Sequence, residues 1–297
     1  MKLHQLRALV AIAEKGSLQD AAHALHVTQP AVTKAIQDLE RDLGVMLVLR
    51  SPQGAQLSVF GKSLVKHARA VEQEIRHAHE DIDNLAGLKK GSIVLGITPV
   101  VAMGPISKVV IAFHNRYPDI DLRIAEMRPA QIHEGLLDGT LDLGIVSRIG
   151  APDTSQYHWD ALYDVGIVIG VRAGHPLTKV DSIHDLKDYT WLAWDPFDIP
   201  GGMFSEIYKR LNLELPKKVI RCSSTVLYTQ LAAETDCVCM LTTPALEWAA
   251  FKQRLKLLSL KENLPTMQIG LVYRNESLVT QIASEFHGFV KNICKEK

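Results

Sequence analysis

From Ser58 to Ala86 the chain has no proline and a single glycine, Gly61. Within that stretch Leu64, Ala68, Val71, Ile75, Ala78, Ile82 and Leu85 recur in alternating steps of four and three residues. This is a heptad seam, and it predicts one long helix carrying an apolar stripe. The residues between, among them Lys66, Arg69, Glu72, Glu74, Arg76, Glu80 and Asp81, carry both signs and read as solvated flanks. An amphipathic helix lying on its own domain shares much of this pattern. The regularity of the spacing favours pairing with a second chain, so these seven apolar residues are the expected dimerisation seam.

The helix divides two regions of different character. Before it, Leu3, Leu6, Leu9, Val10 and Ala13 follow helical spacing until Gly16. Ser17, with Asp20 three residues on, opens a second helix through Ala21, Ala22 and Leu25. Thr28 is the expected cap of a third, with Pro30 in its first turn, running through Val32, Ile36 and Leu39 to Gly44. Leu47–Arg50 and Ala55–Ser58 flank a turn and predict a small hairpin. Two short helices joined by the tight turn His26-Val27 suit a helix-turn-helix, whose second helix can lie in the major groove of DNA. Thr28 and the free amides beside it then face a phosphate, Gln29 reaches a base edge, and Thr33 meets bases or phosphates. Lys34 and Arg41 neutralise backbone charge. Ser17 and Pro30 at the helix starts, with Arg50 and Gln53 on the hairpin, complete the expected DNA-contacting set. Charge is a poor witness here. Residues 1–60 hold Lys2, Arg7, Lys15, Lys34, Arg41 and Arg50 against Glu14, Asp20, Asp38, Glu40 and Asp42. The order of the residues carries the reading instead.

After Gly91 strand-like and helix-like segments alternate. Ile93–Ile97, Ile120–Ala125, Leu141–Val146 and Val165–Val171 read as strands, with helices over 105–117 and 129–138. Such alternation predicts open, mostly parallel sheets flanked by helices, and the length predicts two α/β subdomains with a cleft between them. Ligands in such folds sit at the carboxyl ends of strands. The candidate lining is therefore Thr98, Pro99 and Val100, then Met127 and Arg128, Ser147 and Arg148, Trp194 and Phe197, and Thr225. For Thr98, Ser147 and Thr225 the competing role is capping of the next turn. Arg128 and Arg148 suit an organic anion. Glu126, Asp195 and Asp198 with Trp194 and Phe197 suit an amine or aromatic cation. The charges by themselves leave both open.

The first sixty-odd residues resemble the N-terminus of LysR-type transcriptional regulators. The text that carries the resemblance runs Leu6-Arg7-Ala8-Leu9-Val10, Gly16-Ser17-Leu18, Ala21-Ala22 and Leu25-His26-Val27-Thr28-Gln29-Pro30-Ala31-Val32-Thr33. It continues through Ile36-Gln37-Asp38-Leu39-Glu40, Leu43-Gly44-Val45-Met46-Leu47, Arg50 and Leu57-Ser58. Val48 and Leu49 depart from it, standing where an aromatic and a polar residue are common. The resemblance extends along the chain in Gly91-Ser92-Ile93-Val94-Leu95-Gly96-Ile97, Tyr117-Pro118, Leu136-Leu137-Asp138-Gly139-Thr140-Leu141-Asp142-Leu143-Gly144-Ile145 and Gly174-His175-Pro176-Leu177. It implies a multidomain α/β protein. A winged helix-turn-helix occupies 1–60, a linker and dimerisation helix 61–90, and an effector domain resembling a periplasmic binding protein 91–297. The effector domain then divides into subdomain I, about 91–162 and 267–297, and subdomain II, about 163–266. It also implies a homodimer or homotetramer on an interrupted palindrome in double-stranded DNA, switched by a small-molecule effector, an organic anion before an amine or aromatic cation, with RNA polymerase as a candidate partner.

Other chemistry is set aside. Cys237 and Cys239 sit in an apolar strand-like run without a second ligand pair and read as core. His67, His77 and His79 lack the spacing of a helical metal pair, and His133-Glu134 lacks the second histidine of a zincin motif. No phosphate loop, nucleophile elbow or dinucleotide fingerprint occurs. No enzyme activity, metal or cofactor is expected. Four cysteines and no apolar window near ~20 residues predict a cytoplasmic protein away from the membrane.

Overall fold

The computed structural model describes residues 1–51, 54–88, 90–152, 154–177, 179–194, 202–248, 251–274 and 280–295. Helices α1 (Leu3–Lys15), α2 (Leu18–Ala24) and α3 (Gln29–Leu43) pack around Leu9, Ile12 and Leu39. Gly16 and Gly44 end α1 and α3 at φ of 72° and 71°, conformations that a side chain would strain. Strands β1 (Val48–Ser51) and β2 (Gly54–Leu57) form the expected hairpin, pairing Val48 with Leu57 and Ser51 with Gly54. The Ala55 amide donates to the Gly16 carbonyl at 2.8 Å and so seats the hairpin on the α1–α2 turn. Val48 is buried under the hairpin and Leu49 points outward.

Helix α4 (Val59–Leu85) starts with Ser58 as its cap, accepting from the Gly61 amide at 3.1 Å. A Cβ at Gly61 would collide with the Leu47 carbonyl, so glycine lets the helix leave close against the hairpin. The first turns of α4 belong to the N-terminal core. Ala68 is fully buried there with Val65, and Leu64 packs against them. Ala68 is thereby removed from the expected seam, because the N-terminal core already covers it. Further along, Val71, Ile82 and Leu85 are exposed at 42%, 64% and 86%. The apolar stripe thus remains open along Val71, Ile75, Ala78, Ile82 and Leu85.

The remainder runs β3 (Ser92–Ile97), α5 (Pro99–Ala102), α6 (Ile106–Arg116), β4 (Asp121–Glu126), α7 (Pro129–Asp138), β5 (Leu143–Arg148) and β6 (His158–Arg172). Then follow β7 (Trp191–Ala193), α8 (Met203–Arg210), β8 (Val219–Arg221), α9 (Thr225–Glu234), β9 (Val238–Thr242), α10 (Thr243–Leu246), β10 (Leu255–Leu257), β11 (Thr266–Tyr273) and α11 (Gln281–Lys295). β4, β3 and β5 are parallel neighbours, as are β8, β7 and β9. The expectation of mostly parallel sheets needs one correction. Antiparallel β6 and β11 join the two parallel groups into one ladder, ordered β4-β3-β5-β11-β6-β9-β7-β8. β6 pairs with β11 up to Gly166 and with β9 from Ile167 onward. One extended strand serves both groups, which is why it begins at His158 rather than near Val165. Phe113 of α6 meets Phe286 of α11 edge-on at 5.0 Å over the first group. Cys222, Cys237 and Cys239 are buried in a cluster with Tyr228 over the second. Cys239 donates to the Gly170 carbonyl, and burial pushes its thiol up to about 12. Among the described residues no helix is long and apolar enough to cross a membrane.

Candidate nucleic-acid interface and ligand cleft

The α2–α3 turn is closed by backbone bonds from Val27 N to Ala22 O (3.0 Å) and from His26 N to His23 O (3.2 Å). His26 takes φ of 53° to make it, a left-handed conformation that histidine adopts more readily than most side chains. Val32, Ala35, Ile36 and Leu39 bury one face of α3. The opposite face gathers Gln29, Pro30, Thr33, Lys34, Gln37, Asp38 and Arg41 along one shallow, open groove. Thr28 is the N-cap residue, but its hydroxyl makes no cap bond, contrary to expectation. Pro30 occupies the second helical position and has no N–H to offer, and the Ala31 amide is taken by the Thr28 carbonyl at 3.0 Å. Ser17 does cap: it accepts from the Asp20 amide at 3.0 Å and donates to the Asp20 carboxylate at 2.6 Å. Its hydroxyl is occupied within α2. Two acids on α3 also have work of their own. Asp38 takes Arg41 at 3.0 Å, and Glu40 accepts from the amides of Leu47 and Val48 at 2.7 and 3.0 Å, tying the hairpin to the helix. Arg50 lies in β1 with its side chain outside the described residues, as is all of Gln53.

Thr98, Pro99, Val100, Arg128, Ser147, Arg148 and Trp194, read from four separate segments, line one cavity of about 610 Å³. Parallel pairing of β3 with β5 sets Ile97 beside Ile145, so the residues that follow the two strands meet. Thr98 and Ser147 are 2% and 9% exposed, and their hydroxyl oxygens are 3.1 Å apart. Thr98 makes no side-chain cap on α5, so its hydroxyl serves the cavity floor rather than the helix start. Arg148 Nε is shielded from solvent and has no hydrogen-bond partner. Among the described residues no carboxylate lines the cavity.

Met127 and Thr225 do not line it. Met127 packs half-buried against Ile132 and Leu136. Thr225 donates to Glu126 at 2.7 Å, which joins the end of β4 to the start of α9; Ser224 is the cap there, accepting from Leu227 at 3.3 Å. Phe197, with Asp195 and Asp198, lies outside the described residues. The sequence reading missed much of the wall. His133 and Tyr157 stack at 4.5 Å, and the Trp159 indole donates to Gln268 at 3.0 Å. Met103, Met203 and Met240 form apolar wall with Tyr228, whose hydroxyl donates to the Met240 carbonyl at 2.9 Å. Alternation of Tyr157 and Trp159 into β6 was the one available signal, since residues two apart in a strand share a face.

Residues 3–62 match the family described as bacterial regulatory helix-turn-helix protein, lysR family, and residues 86–295 match the LysR substrate binding domain. The regulator GbpR of Azospirillum brasilense is 27% identical over 80% of this chain and 70% of its own length. The SDS degradation transcriptional activation protein of a Pseudomonas strain is 28% identical over 97% and 95%. Among solved structures, a full-length OxyR variant from Pseudomonas aeruginosa aligns over 99% of this chain and 95% of its own, at 20% identity and a TM-score of 0.70. The regulator CbnR complexed with its target DNA aligns over 98% and 99%, at 20% identity and a TM-score of 0.67. At these identities the structures speak for the fold.

Proposed function

The chain belongs to the LysR family of DNA-binding transcriptional regulators with an effector-binding domain, and from that premise we propose that it reads DNA through α3 and is switched by a small organic anion in the 610 Å³ cleft. The observation that carries the effector reading is the cavity floor. Two buried hydroxyls stand together beside an arginine whose Nε is shielded and unmatched, and the walls are apolar and aromatic. Such a floor suits a carboxylate or sulfonate, and such walls suit a planar or hydrophobic body. Glu126, which would have favoured an amine, accepts from Thr225 and lies off the cavity lining.

On the DNA side, Gln29 and Thr33 are assigned to base edges, Lys34 and Arg41 to phosphates, and the Thr28 hydroxyl, which caps nothing, to a phosphate at the helix start. Pairing along Val71, Ile75, Ala78, Ile82 and Leu85 of α4 sets the spacing of two recognition helices, hence an interrupted palindrome and at least a dimer. Polymerase recruitment is the expected output. The division into 1–60, 61–90 and 91–297 belongs to the same proposal. A gel shift on the DNA upstream of its own locus tests it: the folded dimer retards that fragment over a scrambled one, and failure to retard it at any salt overturns the reading. A thermal-shift screen of small acids and amines tests the cleft, because a bound ligand raises apparent stability by mass action. Stabilisation by amines alone would reverse the charge assignment.

A further inference from the structure

The face of α4 opposite the apolar stripe is not simply a solvated flank, as its charges suggested, but is docked on the effector domain, from an exposed ion pair at Lys66 to the buried His77 and the half-buried Glu80. Lys66 Nζ meets Glu134 of α7 at 2.8 Å, and Arg69 meets Asp138, the last residue of α7, at 3.3 Å. Asp142, just before β5, accepts from Gln73, Arg76 and His77, each at 2.8 Å, and from the Val94 amide at 2.7 Å. Its side chain is 4% exposed. Burial alone pushes the Asp142 carboxyl up; His77, Arg76, Val94 and Gln73 together outweigh it and hold the group below its ordinary value. One turn on, Glu80 accepts from the Ser92 amide at 3.1 Å and from its hydroxyl at 3.0 Å. Gly139, at φ of 76°, has no room for a side chain: a Cβ would stand 2.5 Å from Gln73 Oε1.

Two features give this seam a role beyond packing. Gln73, His77 and Glu80 each lie two residues from a position of the apolar stripe, about 200° around the helix. Docking and pairing with a second α4 therefore use opposite faces and do not compete. And α7 has two occupations. Pro129, Ala130, Gln131 and His133 in its first half line the cleft, while Glu134 and Asp138 in its second half hold α4. Arg69 continues the line, standing 3.8 Å from Glu14 on α1 as well as touching Asp138.

We propose that this seam is a lock within one chain, clamping the effector domain to the linker helix, and that α7 carries movement of the cleft wall into the clamp and, through Arg69, to the DNA-binding domain. The transmission step rests on the reading of the cleft as the effector site; the lock itself does not.

The test uses the full-length chain as a mixture of ¹⁴N- and ¹⁵N-labelled protein treated with a carbodiimide, which joins an amine to a carboxylate only in contact. Mass spectrometry should find a Lys66–Glu134 link within single-isotope pairs. Mixed-isotope links would place the contact between subunits and overturn the lock. Arg76→Glu, which sets a second carboxylate against Asp142, should abolish the link while circular dichroism shows native helicity; a persisting link overturns the clamp. Should that variant fail to fold, Gln73→Ala, which keeps every charge, decides: exchange of the Ser92 amide should quicken about tenfold through loss of one hydrogen bond to a carboxylate, and an unchanged rate overturns the clamp. Finally, an undocked variant should bind upstream DNA with an altered footprint, and an unaltered one removes the regulatory role. The linking and exchange arms need neither DNA nor effector, so their failure is distinct from failure of the functional reading.

Discussion

The recognition helix and the effector cleft place their polar groups in opposite settings. On α3, Gln29, Thr33, Lys34 and Gln37 stand along an open groove, held from beneath by Val32, Ala35, Ile36 and Leu39. In the cleft, Thr98 and Ser147 are nearly sealed from solvent and surrounded by methionines and aromatic rings. DNA is a large polyanion, and an exposed face can meet it with groups that stay hydrated until contact. A small ligand must be recognised by a few groups made directional by burial, where an unmatched donor is costly. The first surface is therefore one helix long and local in sequence. The second draws on α5, α7, β5, β6, α8, α9, β9, α10 and β11, and exists only when those elements are assembled.

The comparison breaks most readily at the scaffold beneath α3. Leu39→Ala removes a fully buried side chain and should cost about 2–5 kcal/mol, abolishing DNA retardation and lowering the N-terminal unfolding transition in calorimetry. If the effector domain's transition fell equally, the two surfaces would share one scaffold and the contrast would be lost. Gln29→Ala should weaken cognate binding by about 1–3 kcal/mol, the scale of a good base contact, while scrambled DNA binds nearly as before. Equal loss on both would assign Gln29 to the backbone instead. Thr98→Val should cost the fold only about 0.5–1.5 kcal/mol, that of one hydrogen bond, while removing the response to whichever acid stabilises the native chain. An unchanged titration would take Thr98 out of the site and leave the cleft resting on Arg148 and the aromatic wall.

The seam along α4 shows where periodicity alone reaches its limit. The four-and-three spacing from Leu64 to Leu85 correctly announced one long helix and its apolar side. It did not distinguish Ala68, fully buried in the N-terminal core, from Ile82, left 64% exposed. It also made Arg69, Arg76 and Glu80 look like ordinary solvated flanks, although their partners Asp138, Asp142 and Ser92 wait at the end of α7 and the starts of β5 and β3.

By itself the sequence determined the order of helices and hairpin in the first sixty residues, the face of α3 left polar, the long helix behind it and the strand ends around which a cleft could form. These rest on short-range causes: caps, glycine stops, and apolar residues repeating with the period of a helix or strand. Only the tertiary structure decided that β6 and β11 knit the two parallel groups together, that His133, Tyr157 and Trp159 wall the cleft with methionines from across the fold, and that Arg69, Arg76, His77 and Glu80 of α4 meet partners at the end of α7 and the starts of β5 and β3. Those outcomes depend on which distant segment supplies the partner for a strand edge, a ring or a carboxylate, and no local pattern encodes that choice.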